Sequence, residues 1–365
     1  MKRLLLPISI LLSFTVFSGI GFAKTYDFQR FFSKRIRIQK GTVVVLDNPV
    51  GEIHITNIDP NLGPFLIVKQ RVYAEADELA KSRYLVMTVR MNISRRPDTL
   101  YLETIFPTHM YDKFCYPDMG GFFTSEASKV WHGKKFTVSS RKGVVLNSDV
   151  YLQVPAGTKV SVNSVATTFV VEDFIGDIEL FTDHASAMTA GSIKGDLWLT
   201  ACHGNLSVSQ FDGNLFYYGE DSDLSFCDKI NGSVYAQSTT GDLIWTANCD
   251  SLDSLHLESL SGKIMLDGQV GENCRLKNDE GDIEIKLEKA VEDSLSASTS
   301  DGDIKLTMQE NYAKNIIAHS DEGKVKSNIE SENDNKLSVQ IKGEKGIVKL
   351  ESKRGSIKIK IISIE

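Results

Sequence analysis

The stretch Gly281-Asp282-Ile283-Glu284-Ile285-Lys286-Leu287 decides the fold of this chain of 365 residues. Its apolar side chains alternate with charged ones, which is the pattern of a β-strand with one buried face and one face in water. A glycine followed by an aspartate favours a tight turn directly before the strand. The stretch therefore predicts one turn followed by one short strand.

The same phrase returns along the chain with variations: glycine, a small polar residue, an aliphatic residue, any residue and an apolar residue. The phrases begin at Gly176, Gly195, Gly213, Gly232, Gly262, Gly281, Gly302, Gly323 and Gly346. The steps between them are 19, 18, 19, 30, 19, 21, 21 and 23 residues, and Gly241 divides the step of 30 into 9 and 21. A period near 20 residues with an echo at half a period predicts an all-β solenoid, whose coils must stack to bury a continuous core.

The repeat organises most of the chain. We expect an N-terminal β region over residues 24–149 and the solenoid repeats over residues 150–365, although Gly51-Glu52-Ile53-His54-Ile55 already follows the phrase. Helical periodicity is almost absent, and only Glu75 to Arg83 predicts a short helix. At the other end, Ile357 to Ile364 predicts a last strand pair whose lysines guard an open edge.

Residues 105–145 interrupt the repeat and are rich in aromatic side chains. Long loops on a regular scaffold often carry function, but a loop can also cap the open end of a coil, and both interpretations stay open. In a binding role, aromatic rings would stack on sugars or fill pockets of a partner. The candidate contact residues are Tyr111, Phe114, Tyr116, Phe122, Phe123 and Trp131.

The N-terminus has the pattern of a secretory signal peptide over residues 1–23. Lys2-Arg3 is the basic region, an apolar run extends from Leu4 to Phe17, and Gly21-Phe22-Ala23 supplies small residues for cleavage after Ala23. No other apolar run approaches the ~20 residues that span a bilayer. We therefore expect an exported protein that is periplasmic, secreted or on the cell surface, with no transmembrane segment after cleavage.

Charge is distributed unevenly. Residues 24–170 hold 20 basic and 13 acidic residues, whereas residues 171–260 hold 2 basic and 15 acidic ones. Such a division suits head-to-tail self-association or binding to a charged polymer, and it also keeps an exposed sheet soluble. The acidic total and the lack of an arginine-aromatic motif argue against nucleic acid as a partner.

Two short motifs suggest a metal site. Asp183-His184 and Cys202-His203 each place a histidine 8 residues after a repeat glycine, so the two histidines should be neighbours on adjacent coils. Histidine, cysteine and carboxylate side chains are ligands of zinc and copper. Adjacent residues of a strand point to opposite faces, however, so a surface pair of histidines is the competing interpretation.

The five cysteines of the chain leave two interpretations open. Export permits disulfides, but an odd count leaves at least one thiol. The cysteines are Cys115, Cys202, Cys227, Cys249 and Cys274. Their spacing does not match the repeat, which favours thiols that serve as small apolar side chains.

Three passages together resemble a known family. Val45 to Ile53 (VLDNPVGEI), Val150 to Val160 (VYLQVPAGTKV) and the Gly-Asp-Ile repeats that follow are similar to the bacterial putative-adhesin family of β-solenoid proteins. The resemblance covers most of the chain after residue 23. It implies a right-handed coil of short strands on an exported or envelope-associated protein, and it supplies no catalytic motif and no cofactor.

These observations favour a non-enzymatic exported β-solenoid that acts as an adhesin or envelope scaffold. Its expected partner is a glycan, a cell-envelope component or a second copy of the chain. One alternative is a polysaccharide lyase or hydrolase, because residues 171–260 supply carboxylates. Against this, those residues include only Lys194 and Lys229 as cations and show no Ser-His-Asp arrangement. The second alternative is an envelope protein that binds metal through the two histidine motifs.

Overall fold

The computed structural model describes residues 25–117, 126–249, 251–329 and 335–363. The predicted signal peptide and two of the candidate contact residues, Phe122 and Phe123, lie outside these ranges. The described chain is all-β, with 28 strands, one α-helix (Leu79–Thr88, α1) and one 3-10 turn (Pro60–Leu62).

Ten strands precede the repeats. They are β1 (Tyr26–Arg37), β2 (Val43–Asp47), β3 (Val50–Asn57), β4 (Phe65–Ala76), β5 (Arg90–Arg96), β6 (Thr99–Ile105), β7 (Lys113–Cys115), β8 (Glu126–Trp131), β9 (Lys134–Ser139) and β10 (Val144–Val154). The helix begins four residues later than the expected Glu75, because Glu75 and Ala76 still belong to strand β4.

Eighteen strands carry the repeats. The first nine are β11 (Lys159–Asn163), β12 (Ala166–Ile175), β13 (Ile178–Lys194), β14 (Leu197–Val208), β15 (Phe211–Phe226), β16 (Ile230–Ser238), β17 (Leu243–Trp245), β18 (Leu252–Ser259) and β19 (Ile264–Gly268). The others are β20 (Asn273–Asn278), β21 (Ile283–Leu287), β22 (Ser294–Thr299), β23 (Ile304–Gln309), β24 (Asn315–Ser320), β25 (Val325–Ser327), β26 (Lys336–Gln340), β27 (Ile347–Ser352) and β28 (Ile357–Ile362).

The strands form two long ladders, which confirms the predicted solenoid. The first face runs through β6, β2, β11, β13, β14, β15, β16, β18, β20, β22, β27 and β24. The second face runs through β4, β10, β3, β12, β13, β14, β15, β17, β19, β21, β23, β28 and β25. In the second face, Ile283 pairs with Ile264 of the preceding coil and with Ile304 of the next one. Aliphatic side chains therefore stack in rows along the solenoid axis.

The first coil lies far upstream of the repeats. Strand β2 pairs in parallel with β11, and β3 pairs in parallel with β12, so residues 43–57 form a coil directly beside residues 159–171. The boundary expected between residues 149 and 150 falls inside β10, which lies between β4 and β3. The residues on both sides of this boundary consequently share one sheet.

The C-terminal strands do not form the end of the solenoid. Ile359 on β28 pairs with Leu306 on one side and with Ser327 on the other. Strand β27 likewise lies between β22 and β24. The prediction of an open edge at Ile357 to Ile364 is therefore wrong. The chain first forms an outer coil from β24 and β25, and β27 and β28 then insert between that coil and the coil of β22 and β23. On the first face, β26 pairs antiparallel with β24, on the side of β24 that faces away from β27.

A narrow hydrophobic core runs through the coils. Trp245 and Tyr217 are its two largest side chains in the repeats, and both are fully buried. The Tyr217 hydroxyl donates a hydrogen bond to the Ser222 carbonyl at 3.0 Å, which satisfies its polar atom inside the core. Burial raises the pKa of Tyr217 to about 12.

The aspartates after the repeat glycines connect one coil to the next. Oδ1 of Asp177 accepts a hydrogen bond from the backbone N–H of Asp196 at 3.1 Å. Oδ1 of Asp282 accepts the equivalent bond from Asp303 at 2.8 Å. Each carboxylate thus satisfies a backbone donor at a turn, where the strand ladder offers no acceptor, and this accounts for the recurring Gly-Asp pair.

Candidate functional site

An exposed row of ring-bearing side chains runs along the first face. Trp198 pairs with Phe216, Phe216 with Tyr235, Tyr235 with His256 and His256 with Arg275, on five successive coils. We call these four rings, together with Arg275 at the end of the row, the aromatic column. They occupy the outward position between two buried side chains of each strand, where the pleat directs a side chain into water.

The rings of the aromatic column contact each other in pairs. The centroids of Trp198 and Phe216 lie 4.4 Å apart with the ring planes 30° apart, whereas Tyr235 and His256 meet edge to face with their centroids 4.8 Å apart. Trp198, Phe216 and Tyr235 remain 46%, 39% and 36% exposed. Two more exposed rings, Phe181 and Tyr218, lie on the same face. A concentration of exposed apolar rings on one face marks an interaction surface.

A row of small polar side chains borders the aromatic column. Ser233, Ser254, Asn273 and Ser294 pair in sequence on strands β16, β18, β20 and β22. We call these four residues the polar column. Because they are shorter than the neighbouring rings, they leave a groove of 470 Å³ that the rings of Phe216, Tyr235 and His256 also line. The groove therefore combines apolar ring edges with hydroxyl and amide groups.

The groove carries few free charges near its centre. Burial and the neighbouring cations Arg275 and Lys277 lower the pKa of His256, so its ring is uncharged at neutral pH. Lys277 Nζ donates to Glu258 Oε1 at 2.6 Å, which pairs those two charges. The histidine consequently acts as one more flat ring of the aromatic column.

The lowered pKa of His256 predicts a pH dependence of stability. In the unfolded chain, His256 binds a proton near pH 6.5, whereas in the folded chain it does so only at lower pH. Protonation of His256 therefore favours the unfolded state as the pH falls below 6.5. We expect wild type to lose more stability than His256→Gln between about pH 7.5 and pH 5. Urea unfolding midpoints of both proteins at the two pH values measure this difference. Equal losses in both proteins would contradict it.

The aromatic residues predicted as contacts lie inside the protein where the structure describes them. Phe114, Tyr116 and Trp131 are 0%, 2% and 5% exposed and pack around Phe136 in a second hydrophobic cluster. Tyr111 is half-buried against the same cluster. Phe114, Tyr116 and Trp131 thus pack as core residues, whereas Tyr111 keeps part of its surface in water, and the cap and binding interpretations of the insert both stay predictions. Strands β7, β8 and β9 belong to the insert and join β10 through β7.

The two histidine motifs meet as their spacing predicts. His184 pairs with His203 on adjacent strands, and their ring centroids lie 6.3 Å apart. Nδ1 of His203 also lies 3.6 Å from Oδ2 of Asp221, on the following coil. Within the described residues, no group of three or more histidine, cysteine, aspartate or glutamate side chains could hold a metal ion. The arrangement fits the surface-pair interpretation of these motifs.

The other two predicted ligands have different surroundings. Lys129 Nζ of the insert lies 3.9 Å from Oδ1 of Asp183, so a lysine faces the carboxylate that a metal would need. Burial raises the pKa of Asp183 and of the Cys202 thiol, so both groups release their protons less readily than exposed ones. The five cysteines, all in the described ranges, carry thiols rather than disulfides, and Cys115 and Cys274 are buried.

Sequence reasoning missed the aromatic column although the signal was present. The fourth position of the repeat phrase, which accepts any residue, holds Trp198, Phe216 and Tyr235 in three consecutive phrases. An exposed position of a strand that repeatedly carries large rings is not explained by packing in the core. The insert attracted attention because its aromatic residues are dense, but density alone does not distinguish a core from a surface.

The fold and the site define a class: a β-solenoid of coils near 20 residues with exposed aromatic side chains along one face. The family model Toastrack DUF4097 matches residues 156–360, which is 205 of the 365 residues, and the chain belongs to this family. No curated protein matches the sequence. Within the described ranges, no helix has both the length and the apolar character needed to cross a membrane.

Several solved structures resemble the chain. A putative cell adhesion protein from Clostridium sporogenes is 13% identical, with 92% of this chain and 100% of that one covered and a TM-score of 0.21. A putative adhesin from Parabacteroides merdae is 12% identical, with 91% and 96% covered and a TM-score of 0.31. A putative adhesin from Parabacteroides distasonis is 14% identical, with 91% and 97% covered and a TM-score of 0.34.

Proposed function

We propose that this protein is a non-enzymatic, adhesin-like binding protein whose contact surface is the aromatic column of the first face. The observation that carries the proposal is the exposure of Trp198, Phe216 and Tyr235 on three successive coils. Water-exposed rings gain free energy when a partner covers them, and aromatic residues dominate the binding energy of many interfaces. A solenoid holds such rings in a fixed row, so little conformational freedom is lost on binding.

We also propose that the protein works outside the cytoplasm, in the periplasm, on the cell surface or in the medium. The support is the signal-like N-terminal sequence, with its basic pair at Lys2-Arg3 and its apolar run. Proteins of similar fold carry adhesin names, which agrees with contact to external partners. Mass spectrometry of the N-terminus of the protein recovered from culture fractions tests this, and an intact Met1 in cytoplasmic fractions alone would contradict it.

Binding without turnover is the preferred interpretation over a polysaccharide lyase or hydrolase. The groove of the first face is lined by serine, asparagine and ring-bearing side chains, with a single cation, Arg275, among its described lining residues. A glycosidase needs a pair of carboxyl groups facing each other across the bond to be cleaved. The lining residues of this groove, all within the described ranges, include no aspartate and no glutamate. The groove therefore suits a ligand that is held and released unchanged.

The test compares the double variant Trp198→Ala, Phe216→Ala with wild type on an array of cell-surface polysaccharides and glycoproteins. We expect the double variant to bind its strongest array ligand about 30-fold or more weakly, because an aromatic hot spot is worth about 2 kcal/mol or more. Phe31→Ala is the matched control, since Phe31 is 73% exposed on β1 and lies off the first face.

Three outcomes of this experiment are informative. Loss of binding with an unchanged circular dichroism spectrum supports the proposal. Equal binding by wild type and the double variant, or no binding by wild type to any component, overturns the aromatic column as the contact surface. Release of reducing ends from the bound polymer would instead establish an enzyme.

A further inference from the structure

We propose that the ligand of the first face is an uncharged, extended glycan that lies along the solenoid axis, with its sugar rings on the aromatic column and its hydroxyl groups on the polar column. This inference rests on the proposed function and gives the chemical class of the ligand. It follows from the pairing of two columns of different chemistry along neighbouring coils.

The two columns match the two chemical sides of a sugar. A pyranose ring has an apolar face of C–H groups, which packs against the exposed ring edges of the aromatic column, and an equatorial rim of hydroxyl groups. Beside the rings of Tyr235 and His256, the polar column offers Ser233 and Ser254. In the described part of the chain, the hydroxyls of these two serines take part in no hydrogen bond within the protein. They can therefore donate to and accept from a ligand without breaking an internal bond.

The length of the columns favours a chain rather than a single sugar. From Trp198 to Arg275 the aromatic column crosses four coil steps of about 4.8 Å each, or roughly 19 Å in total. One ring stacked on one sugar gives a weak contact, but several stacked units joined in one chain bind together at high effective concentration. Affinity should therefore rise with the number of sugar units until the column is filled.

Charge favours an uncharged ligand. Trp198, Phe216 and Tyr235 lie within residues 171–260, which hold 15 acidic and only 2 basic residues. The negative charge of this segment disfavours uronate and sulfate polymers, and the described lining residues of the groove hold no carboxylate that would pair with a cationic ligand. At the other end of the groove, Lys277 is already paired with Glu258, and Arg275 offers N–H donors that also suit sugar hydroxyls.

Tryptophan fluorescence provides a direct readout of the site. The chain has three tryptophans, and Trp131 and Trp245 are 5% and 0% exposed, whereas Trp198 is 46% exposed. Quenching by acrylamide therefore reports mainly on Trp198. A glycan stacked on this ring should shield it from the quencher and shift its emission to shorter wavelength.

The experiment titrates the full purified chain with two series of defined oligosaccharides of two to eight units. One series is neutral, with β-linked glucose, mannose and xylose oligomers, and the other is anionic, with oligogalacturonate and oligoalginate. We expect neutral oligomers to protect Trp198, with an affinity that rises at least about tenfold from two units to the longest oligomers. We expect Tyr235→Ala to weaken binding at least about tenfold, Ser254→Val several-fold and Phe31→Ala not at all.

Each result has a defined meaning. Binding of neutral oligomers with little dependence on NaCl supports the inference. Preferential binding of the anionic series, with affinity that falls steeply as NaCl rises, overturns it. A protein ligand whose binding needs Trp198 and Phe216 also overturns the glycan assignment, yet leaves the proposed adhesin-like function standing. Pairing of two copies through the first face, seen as a dimer in wild type and a monomer in Trp198→Ala, would likewise replace the glycan with a second chain.

Discussion

Replacing Ile359 with aspartate is expected to unfold the C-terminal coils and to cost about 4 kcal/mol or more of stability. Ile359 is 4% exposed, and its strand β28 lies between β23 and β25. A carboxylate at this position would be buried without a partner, which is among the largest single-residue penalties. Since each coil contacts only its neighbours, loss of β28 should also release the outer coil that begins at residue 315.

The matched control is Lys360→Asp on the same strand. Lys360 points into water beside Ile359. Here the same aspartate carboxylate replaces an exposed lysine, so it should change stability by no more than about 0.5 kcal/mol. Hydrogen exchange read by mass spectrometry follows residues 315–329 and 347–362 separately. Loss of protection in both segments of Ile359→Asp supports the inserted coil, whereas loss confined to residues 347–362 would mean that β28 lies at an edge after all.

Gly195→Ala should produce the second large loss of stability, about 2–5 kcal/mol. The backbone φ of Gly195 is +137°, and a Cβ at this residue would lie 2.2 Å from the carbonyl oxygen of Gly176. An L-residue in such a conformation costs roughly 1–2 kcal/mol, and forcing atoms into a filled space adds about 1–3 kcal/mol. The coils would have to move apart at this corner to admit one methyl group.

Gly157→Ala separates these two causes. Gly157 also has a positive φ, +78°, but nothing lies within 4 Å of the point that a Cβ would occupy there, so only the conformational cost applies. Thermal and urea unfolding of both variants and wild type give the comparison. If Gly195→Ala loses no more stability than Gly157→Ala, close backbone approach is not the reason for glycine at the repeat corners.

The stack of coils could be predicted from the sequence because its cause is local and repeated. Alternation of apolar and polar residues fixes which side chains of Ile283 to Leu287 turn inward, and the glycine before them fixes where the strand starts. Where the step between phrases stays at 18 or 19 residues, as from Gly176 to Gly232, the neighbours of each strand then follow from that step. The same arithmetic placed His184 beside His203 correctly.

Only part of the candidate site could be predicted from the sequence. Trp198, Phe216 and Tyr235 share one position of the phrase, so their row could have been read from the repeat. The aromatic residues of the insert could not be assigned to the core or to the surface in the same way. The insert has no sequence repeat that would show whether Phe114 or Trp131 points inward or outward. Their burial depends on how β7, β8 and β9 pack against Val50, Val165 and Ala166, which are distant in sequence.

The sequence by itself determined the β-solenoid, its coil length and its membership of a repeat class, since these depend on periodicity within about 20 residues. Only the tertiary structure decided the order of the last coils, the burial of Phe114, Tyr116 and Trp131 in the insert and the groove between the aromatic and polar columns. The physical reason is that parallel strands with the same alternation are interchangeable as partners. Whether β28 follows β23 or β25 depends on the total packing and hydrogen bonding of the finished stack rather than on any local pattern.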